Sequence, residues 1–133
     1  MLKASWKAGS VPDLEGPLLV SATRFQFSRL RDMPGILKLG MGLRRGWPLL
    51  QGAVGLSVSA DLLGRTTYTV SAWRSEADFR AFLTSPGHLR LMREYRSRVV
   101  DSAAVSWKVE RFDLGTAWRE APRRLAEVAR RSG

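Results

Sequence analysis

The sequence contains no cysteine, no asparagine and a single histidine, His88. Without cysteine there are no disulfide staples, zinc–thiolate sites, iron–sulfur clusters or cysteine nucleophiles. One histidine excludes a protein-only metal site built from several imidazoles and makes any Ser-His-Asp triad depend on that one position. Acidic residues are scarce as well. Across 133 residues, 12 Asp+Glu face 22 Lys+Arg, a formal net charge of +10. Long apolar runs are also missing: Arg44 and Arg45 interrupt the richest apolar region, residues 36–63, before it reaches the roughly 18 to 20 residues that a spanning helix needs. The first seven residues hold two lysines with no apolar core behind them, so no secretory signal is read and a soluble, cytoplasmic protein is the default. What is present, 44% hydrophobic and 26% charged residues, is the composition of one globular domain.

Residues 1–17, with Gly9, Pro12, Gly16 and Pro17 and no sustained period, read as an irregular arm. Leu18 to Ser28 alternate, with Leu19, Ser21, Thr23, Phe25 and Phe27 on one face, and predict a strand. Asp32 before Pro34 starts a helix whose apolar positions Leu30, Met33, Leu37 and Met41 repeat up to Gly46-Trp47-Pro48. Strands follow at Ala53–Leu62 and Thr66–Trp73, the second dense in β-branched and aromatic residues. Ser75-Glu76-Ala77-Asp78 has capping-box form, and Ser85-Pro86 predicts a break and immediate restart of the helix it opens. In the restarted piece His88, Leu91, Met92, Tyr95 and Val99 share one face. Ala103–Phe112 alternate again, and Thr116–Arg131 form a basic helix or a frayed extension. Segments 24–51, 74–98 and 116–131 carry net charges of +5, +3 and +3, so the positive charge rides on the helices.

The order β-α-β-β-α-β predicts an α+β, ferredoxin-like fold: a four-stranded antiparallel sheet over residues 18–114, two helices on one face, and a C-terminal helical extension over 115–133. Two helices leave the other sheet face bare, and both faces of the first and fourth strands carry apolar groups. Exposing such a face to water is costly, so a homodimer is expected, with two sheets facing each other in a dimeric α/β barrel.

The stretch Tyr68-Thr-Val-Ser-Ala-Trp73-Arg-Ser75-Glu-Ala-Asp78-Phe79-Arg-Ala-Phe82-Leu-Thr-Ser85-Pro-Gly-His88 resembles the third strand and second helix of the dimeric α/β-barrel proteins, the antibiotic-biosynthesis-monooxygenase superfamily. Within it, Met33-Pro34-Gly35, the segment Leu49 to Gly55, Trp107 and the Trp118 region are similar to spheroidene-monooxygenase-like proteins. The resemblance covers residues 18–114 and implies the fold; the activities it implies range from cofactor-free oxygenases of polycyclic aromatics to heme-dependent enzymes. Its heme-degrading branch uses an asparagine on the first strand, a tryptophan at the position of Phe82 and a histidine nine or ten residues later. This chain has no asparagine, and Leu91 and Met92 at the later positions, so heme degradation of that kind is disfavoured.

The residues support two hypotheses. One is a small-molecule monooxygenase-like protein holding a hydrophobic or aromatic ligand in a cavity between sheet and helices, lined by Phe25, Trp73, Phe79, Phe82, His88 and Met92. His88, on the apolar face of a helix's first turn, would be neutral and would serve as general base or, with heme bound, as axial ligand; a core or cap histidine is the alternative. Arg24, a charge on an apolar-rich strand, calls for an anionic ligand or for a salt bridge to Asp61 or Glu110. Tyr68 and Trp73 fall on opposite faces of one strand, and Trp47, Trp107 and Trp118 read as packing residues. The second hypothesis is a non-catalytic basic module for nucleic acid or an acidic surface. Nucleic acid is disfavoured because the arginines are spread over three helices without a clustered basic–aromatic motif.

Overall fold

A computed structural model describes residues 2–3 and 5–132. Its elements are β1 (Leu2–Lys3), β2 (Lys7–Ala8), β3 (Glu15–Phe27), α1 (Met33–Gly46), β4 (Ala53–Asp61), β5 (Thr66–Trp73), α2 (Glu76–Leu83), α3 (Pro86–Tyr95), β6 (Val99–Arg111) and α4 (Leu114–Ser132). The antiparallel sheet runs β1-β4-β5-β3-β6, with β2 also on β4, so the four long strands have the ferredoxin-like order.

The local signals act where the chain carries them. Ser75 caps α2 by accepting the Asp78 N–H at 3.1 Å, and its hydroxyl donates to the Asp78 carboxylate at 2.9 Å. Ser85 caps α3 with Pro86 in the first turn, so one amphipathic stretch becomes two helices. Val99 is not part of the α3 stripe; it opens β6, four residues ahead of the expected start. Asp113 caps α4, and hydrogen bonds from the Thr116 N–H and hydroxyl hold its carboxyl below the ordinary value.

The N-terminal arm differs from expectation: β1 and β2 add to the outer edge of β4, and Gly9 N–H donates to Val54 O at 2.9 Å. Trp6 from this arm stacks on Phe112 with ring centroids 4.7 Å apart. A Cβ on Gly55 would overlap the Trp6 indole, so only glycine admits the arm there.

The larger departure concerns the second sheet face. Leu18, Val20, Ala22, Val54, Val70 and Ala72 point to that side, and α4 covers them with Ala117, Ala121 and Leu125. Trp118 Nε1 donates to Ser57 Oγ at 3.2 Å, and the Arg124 guanidinium lies 4.7 Å from the Trp107 ring. The extension is therefore a docked third layer. The apolar face that was expected to require a second copy is covered within the chain, and two facing sheets could form a barrel only after α4 left its place.

Candidate functional site

The opposite sheet face has a different character. α1, α2 and α3 stand over it and enclose a cavity of about 860 Å³. Its floor is rich in hydroxyls because β3 and β5 place Ser and Thr at alternate positions: Ser21 and Thr23 on one strand, Thr67, Thr69 and Ser71 on the other. Ser106, Ser21 and Ser71 pair across three strands, with Thr23 opposite Thr69 in the next row. The roof is apolar, with Ile36, Leu37 and Leu43 from α1, Phe79 and Phe82 from α2, and Leu91, Met92 and Tyr95 from α3. The lining residues Ala104 and Ser106 on β6 are exposed, so the cavity opens on that side.

His88 lines this cavity. Its Nδ1 lies 3.1 Å from the Leu83 carbonyl oxygen, and its ring sits 4.8 Å from that of Phe82. An imidazole bonded to a carbonyl carries its proton on Nδ1, which leaves the Nε2 lone pair free. Burial lowers its pKa below the ordinary 6.5, and the Leu83 hydrogen bond opposes this only in part. At neutral pH the site thus holds a neutral base with its orientation set from behind.

Phe25, Phe79, Phe82 and Met92 line the cavity together with His88. Two expected site residues do not. Trp73 is fully buried behind the wall, 5.0 Å from Trp47 and 5.1 Å from Phe82 between ring centroids, with its Nε1 donating to Ser71 Oγ at 3.0 Å. It sits at the β5 end beneath the α2 aromatics, where packing leaves no ring face free. Arg24 alternates onto the α4 side of β3 and pairs with Asp101 at 2.9 Å, not with Asp61 or Glu110, because the antiparallel register sets Ala103 opposite Arg24 and Asp101 two residues along, with Glu110 at the far end of β6. Tyr95, Ser21, Thr23 and the apolar positions of α1 were legible as faces of their elements but not as site residues, although the alternating Ser and Thr of β3 and β5 were a usable signal.

Other arginines also have partners within the chain. Arg44 donates to Ser5 Oγ at 2.8 Å, Arg111 meets Glu15 at 3.0 Å, and Arg123 pairs with Glu120. Among the described residues no group of three His, Asp or Glu side chains could hold a metal, and no helix is long and apolar enough to cross a membrane.

No known protein family and no curated sequence matches the chain. Solved structures do match. A candidate antibiotic biosynthesis monooxygenase from Deinococcus radiodurans superposes with a TM-score of 0.63 at 14% identity, over 71% of this chain and 95% of that one. SnoaB, a cofactor-independent oxygenase from Streptomyces nogalater, gives 0.56 at 15% identity over 73% and 96%. This chain has the fold of the antibiotic-biosynthesis-monooxygenase-like proteins. A dimeric ferredoxin-like protein of unknown function from Thermobifida fusca shares it too, at a TM-score of 0.59 and 16% identity over 72% and 94%.

Heme makes a narrower demand, one imidazole free to bind iron. His88 fits it, because an axial histidine is usually held by a hydrogen bond from its other nitrogen, as Leu83 provides here. Bound there, heme would supply one-electron and oxygen chemistry.

Proposed function

We propose that this protein is a small-molecule oxygenase that acts on an apolar aromatic ligand held in the sheet–helix cavity, with His88 as general base. The supporting observation is a half-buried neutral imidazole, anchored through Nδ1, in the wall of an 860 Å³ largely apolar cavity. Such a base serves a ligand whose own C–H or O–H is acidified by a ring system. Nε2 takes the proton, and the resulting carbanion donates electrons to dioxygen. One oxygen atom enters the ligand and the other leaves as water, so a ring CH₂ plus O₂ yields a carbonyl plus H₂O with no external reductant. The hydroxyls of Thr23, Thr69 and Ser106 offer hydrogen bonds to ligand oxygens, while Phe79, Phe82 and Met92 exclude water from the carbanion.

Oxygen consumption with an anthrone as probe tests this reading. One O₂ consumed per anthrone, with a rate about 10² to 10⁴-fold lower in His88→Ala, supports it. No consumption above the spontaneous rate overturns the oxygenase assignment. Titration with hemin tests the cofactor: a shifted Soret band that His88→Ala abolishes places heme on His88 and overturns its role as general base, and no shifted band removes heme from the reading. The reading takes the protein as a cytoplasmic homodimer, supported by the dimeric Thermobifida protein. Because α4 occupies one sheet face, the dimer contact would lie elsewhere or involve exchange of α4. Sedimentation at micromolar concentration gives the mass, and a monomer there overturns the dimer.

A further inference from the structure

A second, smaller depression of about 390 Å³ adjoins the cavity where β3 ends and β6 begins. Its lining is polar: Ser28, Arg29, Arg31, Asp32, Ser97 and Arg98. Three guanidiniums thus face a single carboxylate, and that carboxylate reaches only Arg98, at 3.9 Å. Among the described residues Arg29 and Arg31 form no ion pair, in contrast to Arg24, Arg80, Arg111 and Arg123. Three guanidiniums with one carboxylate among them leave a net positive charge that favours an oxyanion, which they can grip through paired N–H donors.

Two features join this depression to the apolar cavity. Phe27 lines the cavity, and the next residue, Ser28, lines the depression; Ser28 N–H is fixed there by the Arg98 carbonyl at 2.9 Å. Tyr95 lines the cavity, and the Arg98 guanidinium rests on its ring 4.9 Å from the centroid. Tyr95 thus has the apolar cavity on one side and a guanidinium against its ring.

We propose that the two spaces form one amphipathic site, so that the ligand is an apolar acid: its ring body fills the cavity and its carboxylate reaches past Tyr95 to Arg29, Arg31 and Arg98. This inference rests on the cavity being a ligand site, as proposed above, and specifies what that ligand carries. The chemistry that recognises it is an oxyanion held at the end of a flat or elongated hydrocarbon.

The test uses 1-pyrenebutyric acid and its methyl ester, with binding read by energy transfer from tryptophan to pyrene. The acid is expected to bind about tenfold more tightly than the ester, a preference that shrinks as salt rises. The variant carrying Arg29→Gln and Arg31→Gln, both at exposed positions, should lose that preference while leaving the ester's affinity unchanged. Equal affinities for acid and ester, or an equal loss of both in the variant, overturns the anionic head group and leaves the cavity as an apolar site. Failure of both probes to bind overturns the ligand cavity itself, and this inference with it.

Discussion

The two faces of the sheet are made by the same alternation and end up as opposites. Toward α4 the strands present Leu18, Val20, Ala22, Val70 and Ala72, which pack with Ala117, Ala121 and Leu125 in one buried cluster. Toward α1–α3 they present Ser21, Thr23, Thr67, Thr69 and Ser71, with an aromatic cluster where β5 ends, in which Trp47, Trp73, Phe79 and Phe82 pack ring on ring. Small hydroxyl side chains do not reach the helices above them, and the aromatic cluster at one end acts as a pillar that keeps those helices apart. One face is filled and stabilises the fold; the other is propped open and can hold a ligand.

That comparison can be tested at its extremes. A charge placed under α4 by Ala121→Asp should cost about 3 to 5 kcal/mol, because a buried carboxylate would have no partner there; urea denaturation measures it. Leu125→Ala on the same face should cost about 2 to 4 kcal/mol, whereas Met92→Ala on the cavity wall should cost less than about 1 kcal/mol, since its side chain is half-buried and already borders empty space. A similar loss at both positions would show that the cavity side is packed as tightly as the other. Gly40→Leu, on the α1 wall with Val58 as the nearest side chain at 3.9 Å from a new Cβ, should abolish pyrene binding while raising stability by up to about 1 kcal/mol through helix propensity.

A smaller effect is tied to pH. Burial lowers the His88 pKa below 6.5, so as pH falls below 6.5 the unfolded chain accepts a proton that the folded chain resists. The stability associated with neutral His88 is therefore complete above that pH and declines below it. Urea midpoints at pH 7.5 and 5.5 should differ less in His88→Gln than in the parent. Smallest of all, Arg24→Gln should change stability by under about 1 kcal/mol, as its pair with Asp101 is solvent-screened. A large loss there would place Arg24 in the core of the α4 face.

Some of this organisation could be read without coordinates. The Ser75 and Ser85 caps, the Pro86 restart and the period-two runs depend on neighbours within a few residues, so the elements and their order followed directly. His88 could be placed on the apolar side of α3 for the same reason, and Phe25, Phe79, Phe82 and Met92 with it. Arg24 and Trp73 misled because alternation assigns a side chain to a face without saying what lies above that face. Arg24 turned to the α4 side, where Asp101 of the neighbouring strand meets it, and Trp73 faced the right way but at the end that the pillar occupies. The extension was hardest to judge: an amphipathic helix at the end of a chain has the same pattern whether it docks on its own sheet, on another copy or on nothing.

The amino-acid order alone thus decided that there would be four long strands in β-α-β-β-α-β order, a broken second helix and one histidine turned inward, since each depends on local period and capping. Which face would be sealed and which would stay open was decided by packing between residues about a hundred positions apart, such as Val20 of β3 and Ala121 and Leu125 of α4 in one buried cluster. Periodicity carries no information about such contacts, because it marks a surface as apolar without naming what will cover it.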